Sequence, residues 1–296
     1  MHNANDFQKN LRMHSSTFYF ASLWLPADIR KQVAKLYYFC RYLDDLADKP
    51  GKDNQEEMSN IYADIKDDKQ THPISQHIQS IMKTYGIPNT VPLSLINGIN
   101  KDFNDVQILS RKELLNYAYE VAGTVGIMMA HMLGVQSRRA LHHAIDLSIA
   151  MQLTNIARDI YEDAILNRRY LPAQWVNHLS PKDILSPSPS QTIQINQAMS
   201  QIIALSETYY LSGIAGIRYL PKKYQAAIFR AAKLYQVIGH TLESTETPFQ
   251  NKKTKPNAFK KASILLNSYR PCSNQIQHKV ALHLDINHLP YTHASD

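Results

Sequence analysis

The chain has 296 residues, of which 44 % are hydrophobic and only 9 are glycine, and it carries a formal net charge of +7. That length suits one large domain with an ample core. Few glycines and no GxGxxG or Walker-type loop leave a dinucleotide fold and a P-loop without a signal, while the positive charge favours anionic partners of any kind. Two cysteines, Cys40 and Cys272, give no disulfide framework and fit a reducing compartment. The opening residues MHNANDFQKNLRMHSS contain no apolar signal core. No run approaches the roughly 18 apolar residues of a membrane span. The expected location is therefore cytoplasmic, with peripheral contact at the inner membrane face left open.

In chain order, residues 5–24 carry Phe7, Leu11, His14, Phe18 and Ser22 at helical steps. His14, Ser15, Ser16 and Thr17 are poor choices for a helix interior. They suit either an N-cap or donation to an anion. From Asp28 to Asp48 the positions Ile29, Val33, Leu36, Tyr37, Cys40 and Leu43 predict a helix, with Pro26 at its start. Asp44 and Asp48 stand four apart at its far end, with Asp45 between them and Arg41 one turn earlier. Carboxylates at a helix C-terminus oppose the macrodipole, so this cluster calls for a cation.

A turn at 49–55 precedes predicted helices over 56–68, 73–85, 92–103 and 111–134. The last contains VAGTVGIMMA, whose two glycines each cost about 1 kcal/mol in a helix and so suggest close approach of another helix or a ligand. Met128 and Met129 fit a core or an apolar tunnel. A predicted helix over 137–165 carries Gln152, Asn155, Asp159 and Asp163 on one stripe, with Arg158 beside it and Arg168 and Arg169 just beyond. Two carboxylates and two amides facing one way, with arginines alongside, suit magnesium shared with a polyphosphate. A solvated surface helix would show the same spacing. After a polar loop at 178–192, helices are expected over 193–217 and 221–245. A lysine-rich stretch at 249–261 and a His-, Gln- and Asn-rich end complete the chain. No strand pattern persists, so the fold class is all-α.

The segments HSSTF, LYYFCRYLDDLAD, YAYEVAGTVGIMMAHMLGV and QLTNIARDIYEDAILNRRYLPAQW resemble the squalene/phytoene synthases, the head-to-head trans-isoprenyl diphosphate synthases, most nearly the bacterial phytoene synthases. The resemblance spans residues 10–245. It implies a single isoprenoid synthase domain over residues 1–270, a helical bundle around an apolar cavity, with 271–296 a loosely held tail. Asp44 and Asp48 would face Asp159 and Asp163 across the cavity mouth, with Asn155 completing the metal side and Asp45 pointing elsewhere. Arg41, Arg158, Arg168, His14, Ser15 and Thr17 would face the diphosphates. Phe18, Tyr37, Gln152, Tyr119, Tyr170 and Tyr235 would line the reacting ends or the cavity, with Tyr119 and Tyr170 among the catalytic groups. Lys253 stands where the family carries an arginine, and lysine binds phosphate as a point charge.

The implied reaction is Mg²⁺-dependent, with Mn²⁺ an admissible substitute and no NADPH. Two geranylgeranyl diphosphates would join 1–1′ through a cyclopropylcarbinyl diphosphate to give phytoene. A farnesyl-based squalene, dehydrosqualene or presqualene diphosphate synthase is the alternative. Ser22 and Ala34, both small, would lengthen the pocket for C20 chains. A non-catalytic scaffold or membrane-surface assembly protein is the reading from another class, and the intact aspartates argue against it. Expected partners are prenyl diphosphates and an anionic membrane surface. No nucleic-acid module is recognisable, and the state expected is a monomer or weak homodimer.

Overall fold

The computed structural model describes residue 19 and residues 22–49, 51–135, 137–243 and 249. The candidates His14, Ser15, Thr17, Phe18 and Lys253 and the tail at 271–296 lie outside the described residues. Among the described residues there is no strand; one isolated bridge pairs Gln107 with Arg169.

Helix α1 (Ala27–Ala47) buries Ile29, Val33, Leu36, Phe39, Leu43 and Leu46 at three- and four-residue steps, as its periodicity predicts. Helices α2 (Lys52–Lys66), α3 (Pro73–Tyr85) and α4 (Thr90–Asn100) come next. Proline opens α3, and Gly86 ends it at φ 65°, a left-handed cap that a side chain would resist. The predicted helix at 111–134 is α5 (Arg111–Ala118) and α6 (Thr124–Met132), joined through a π-helical turn at Tyr119–Gly123. A π turn admits one extra residue and rotates the faces of α5 relative to those of α6.

The predicted helix at 137–165 is also two. Helix α7 (Arg138–Arg158) ends at Asp159, whose φ −104° and ψ 17° leave the helical region, and α8 (Ile160–Ile165) restarts there. The four polar groups of the stripe therefore do not share one continuous helix. Short α9 (Pro181–Leu185) and long α10 (Pro189–Gly216) both start at capping boxes, Ser180 with Asp183 and Ser188 with Gln191. These caps turn the expected polar loop into helix. Helix α11 (Lys222–Glu243) closes the described bundle.

Helix α7 is the axis of the fold. Its Ile145, Ile149, Ala150, Leu153 and Ala157 are fully buried. Helix α10 packs against it closely because Gly213 and Gly216 lack side chains: a Cβ on Gly213 would lie 2.7 Å from Leu147 Cα, and one on Gly216 would collide with His143. On α6, a Cβ on Gly126 would lie 2.6 Å from the Ala144 carbonyl oxygen. The glycines of VAGTVG thus answer to helix packing, the first of the two expectations.

Candidate active site

A cavity of about 280 Å³ runs between α1, α6, α7, α10 and α11. One water needs only about 10–15 Å³, so this is a chamber and not a packing defect. Its walls are mainly apolar, including Leu36, Val125, Met129, Leu147 and Met151. Tyr37, Gln152, Asn155 and Tyr235, all singled out by sequence, line it together. Of the two residues tied to chain length, Ser22 lines the cavity, while Ala34 is fully buried outside its lining, among Tyr19, Tyr37 and Tyr38. Met129 lines the cavity and Met128 is core.

The acidic residues gather at the end marked by Asn155. Asp44 and Asp48 close α1, one and two turns after the lining residue Cys40. Asp159 comes one turn after Asn155, and Asp163 lies within α8. Arg168 ties the two motifs together. Its guanidinium donates to Asp48 Oδ1 at 2.8 Å, to the Ala47 carbonyl at 2.7 Å and to the Asp102 carbonyl at 2.9 Å. Its own amide donates to the Asp163 carbonyl at 2.9 Å. A planar fork does this where an ammonium would not. Arg158 straddles Asp159, donating from Nε to Oδ1 at 2.7 Å and from Nη2 to Oδ2 at 2.5 Å. Arg41 pairs with Asp45 and also feels the charges of Asp44 and Asp48.

Asp102 is the residue that sequence reading missed. It lies at the end of α4, and only 9 % of its surface is exposed. Its carboxylate accepts from Tyr117 Oη at 2.8 Å and Tyr170 Oη at 2.7 Å, whose rings stack with centroids 4.7 Å apart. Tyr170 is thus bound to a carboxylate beneath the site. Tyr119, placed at the reacting ends by resemblance, is fully buried, packs against Gly123 and stands back from the cavity lining. The π turn is the cause: it changes the register between Tyr117 and the cavity-lining Val121 and Ala122.

The electrostatics are those of a site short of positive charge. Asp44 keeps an exposed surface, so ions can reach it. The surrounding protein still weakens its solvation and pushes its carboxyl up to about 7; Arg41 pulls it down, while Asp48, Asp102 and Asp45 push it up. Burial, then Asp159, push Asp163 well above the usual carboxylate range against the pull of Arg168 and Arg158. Burial also raises Asp102, opposed by the Tyr170 hydrogen bond and by Arg168. Burial lowers Arg158, but its fork onto Asp159 more than compensates and holds it above the usual value.

Several polar atoms here are buried without partners: Asn155 Oδ1, Arg41 Nε and Arg168 Nε. Among the described residues no three His, Cys, Asp or Glu side chains are close enough to enclose an ion by themselves. One or two carboxylates supplemented by substrate oxygens is the usual coordination of Mg²⁺. The donor set and the orphaned Asn155 oxygen fit an ion shared in that way.

The squalene/phytoene synthase family profile matches residues 11–260. The chain belongs to the squalene/phytoene synthase family. It is 30 % identical to a 15-cis-phytoene synthase of Pantoea ananas over 88 % of this chain and 89 % of that one. It is 33 % identical to a phytoene synthase of Pseudescherichia vulneris over 74 % and 75 %. A dehydrosqualene synthase structure superposes with a TM-score of 0.78 at 23 % identity, covering 88 % of this chain and 93 % of that one. A squalene synthase of Alicyclobacillus acidocaldarius does so at 0.69 and 19 %, covering 81 % and 92 %. Those structures share its fold. This squalene/phytoene synthase family member is a prenyltransferase. Among the described residues no helix is long and apolar enough to cross a membrane.

Proposed function

We propose that this prenyltransferase joins two geranylgeranyl diphosphates head to head into phytoene. The carrying observation is the combination of an apolar chamber with a single acidic, arginine-flanked end. The names of the relatives favour the C20 branch. Mg²⁺ held by Asp44, Asp48, Asn155, Asp159 and Asp163 would neutralise the diphosphates and make them leaving groups. Arg41, Arg158 and Arg168, now paired with Asp45, Asp159 and Asp48, are the donors for the departing diphosphate. Arg158 spans both oxygens of Asp159; were Asp159 to hold a cation, this guanidinium would be left to donate to the anion.

Ionisation of the first substrate gives an allylic cation at C1. The Tyr37 and Tyr235 rings, both lining the chamber, supply aromatic stabilisation without a strong nucleophile. The apolar walls keep water from the cation. The 2,3-double bond of the second substrate attacks it, and loss of a proton closes a cyclopropylcarbinyl diphosphate. Loss of the second diphosphate, rearrangement and loss of a second proton give the C40 triene. Tyr170 donates its hydroxyl proton to Asp102 and is held in that layer.

Incubating the purified chain with Mg²⁺ and either geranylgeranyl or farnesyl diphosphate, without NADPH, tests the reading by mass spectrometry of extracted products. A C40 triene from the C20 substrate is expected. A C30 product or a presqualene-type diphosphate in its place overturns the choice of substrate. No product from either overturns the enzymatic assignment at this site.

A further inference from the structure

The acidic end of the cavity has a counterpart at the opposite end of the bundle. Helices α1, α7 and α11 all start there and run toward the mouth: α1 ends at Asp44 and Asp48, α7 ends at Arg158 beside Asp159, and α11 brings Tyr235 to the lining it shares with Tyr37. At about 1.5 Å per residue, the 21 residues of α1 separate the two ends by about 30 Å. Arg30, Arg138, Arg139, Lys222 and Lys223 stand in the first turns of these helices and Arg218 in the single turn Ile217–Tyr219, against one carboxylate, Asp28. Cations in a first turn oppose the macrodipole, as the aspartates at the end of α1 do with the opposite sign. Helix stability accounts for neither set, and each calls for a partner of the other charge.

The same end exposes apolar and aromatic surface. Leu23 and Trp24, immediately before α1, are 43 % and 47 % exposed. The Arg230 guanidinium lies 3.7 Å from the Trp24 ring centroid, those of Arg139 and Arg218 lie 5.7 and 5.3 Å from that of Tyr219, and Lys223 Nζ lies 4.8 Å from that of Tyr224. Aromatic rings with charged groups over them suit a boundary between water and lipid, where an apolar body and a wet tip are both satisfied. The chamber wall is thin here. Leu23 and Trp24 lie between the lining residues Ser22 and Leu25, Arg139 precedes the lining Ala140, and Arg218 follows the lining Ile217.

We propose that this end of the bundle is the face that docks on an anionic lipid bilayer, with the acidic mouth turned to the water. Anionic headgroups supply the charge that the cations call for, and Leu23 and Trp24 enter the boundary between headgroups and acyl chains. A nucleic acid would answer the charge but leave Leu23 and Trp24 without apolar cover. The docked face stands on charge and exposure alone and does not depend on the reaction proposed for the chamber.

The test uses the full chain and vesicles with no substrate, so its failure and that of the phytoene assay are distinct. Binding is measured by sedimentation with vesicles of phosphatidylcholine, alone or mixed with phosphatidylglycerol. The wild type is expected to bind the mixed vesicles at least about tenfold more tightly, and less tightly as salt is added. Arg138→Gln with Lys222→Gln and Lys223→Gln removes cations that do not favour their helices, and should weaken that binding at least about thirtyfold. Removing the same charge elsewhere, by Arg111→Gln, Lys112→Gln and Lys182→Gln, should change it less than about threefold. The chain's two tryptophans report which end meets lipid: Trp24, and Trp175, which follows Arg168 by seven residues (175 − 168). With lipid in excess, phosphatidylglycerol brominated on its acyl chains should quench the wild-type fluorescence, and Trp24→Phe should abolish that quenching. Quenching that persists in Trp24→Phe puts Trp175 and not Trp24 on lipid and overturns the proposal. Binding by the first triple variant within about threefold of wild type overturns it. So does an equal loss in both triple variants, which would make net charge the cause, and so does a chain that leaves the mixed vesicles unbound, whether or not it binds duplex DNA.

Discussion

The two ends of the cavity hold comparable sets of polar groups and settle them in opposite ways. Away from the acidic end, beside the lining residue His143, the side chains of His143, Ser212 and Asp146 bond to one another and are buried. At the mouth, Asp44, Asp102 and Asp163 are all pushed toward protonation, and Asn155 Oδ1, Arg41 Nε and Arg168 Nε lack partners. A buried polar atom left unpaired costs roughly 1–3 kcal/mol. The His143 network is complete without a ligand and the mouth is not. A structural network and a binding site can thus be told apart by what remains unsatisfied.

The contrast is broken most sharply at Asp159. Asp159→Asn removes a carboxylate from the cation side while leaving the helix break and the backbone bond from Asp163 N to Asp159 O in place. Turnover is expected to fall on the order of 10³-fold, comparable to losing one preorganised charge-stabilising group. The circular dichroism spectrum should be unchanged. Activity within tenfold of wild type would remove Asp159 from the site.

The next effect should come from Arg168, which joins both halves of the mouth. Arg168→Ala strips a buried guanidinium from Asp48 and two backbone carbonyls. The expected loss is about 2–3 kcal/mol, less than for a fully buried pair because Asp48 is partly exposed. Arg168→Lys keeps the charge and loses the fork, and should recover less than half of that stability in urea titrations. Full recovery by lysine would mean that charge, not geometry, joins the motifs.

Sequence distance decides which of these features were legible in the amino-acid sequence. Helix α1 and the pair Asp44 and Asp48 were legible because a 3.6-residue period and an i,i+4 spacing are local properties. Tyr37, Gln152, Asn155 and Tyr235 line one chamber although they lie up to 198 residues apart (235 − 37). The break at Asp159 was not legible, since the residues on either side continue the same apolar period. The π turn at Tyr119–Gly123 was likewise hidden, and with it the withdrawal of Tyr119 from the cavity. Asp102 gave no signal: its partners Tyr170 and Arg168 are 68 and 66 residues away. The His143–Ser212 contact spans 69 residues. Contacts of that separation are set by how helices pack, here by the close approach of α10 to α7 that Gly213 and Gly216 allow.

In the His143 network, Ser212→Ala should cost about 1–2 kcal/mol, since it leaves Asp146 and His143 without their shared partner. The loss should be the same with and without Mg²⁺ and pyrophosphate, which bind at the other end. A ligand-dependent loss would mean that the two ends are coupled and that the His143 network is not complete in itself.

The smallest expected effect is also the one that reads the mouth as a whole. Asp44, Asp102 and Asp163 have folded-state pKa values above their ordinary ones, so the folded chain holds these protons more tightly than the unfolded chain. The stability they contribute is full below the ordinary carboxylate pKa of about 4 and is lost as pH rises through about 7, where Asp44 titrates. Asp64 works the other way: burial pushes it up, but hydrogen bonds from His72 and Thr71 outweigh this and lower its pKa, so its contribution is present at neutral pH and lost in acid. Mg²⁺ and pyrophosphate should act on the mouth groups alone, because a cation binds their ionised forms. Thermal unfolding measured from pH 4.5 to 7.5 should therefore show a ligand-induced gain that grows with pH, by about 2 °C across the range. A gain equal at both ends of that range would mean that the raised carboxylates are not the groups that meet the ion.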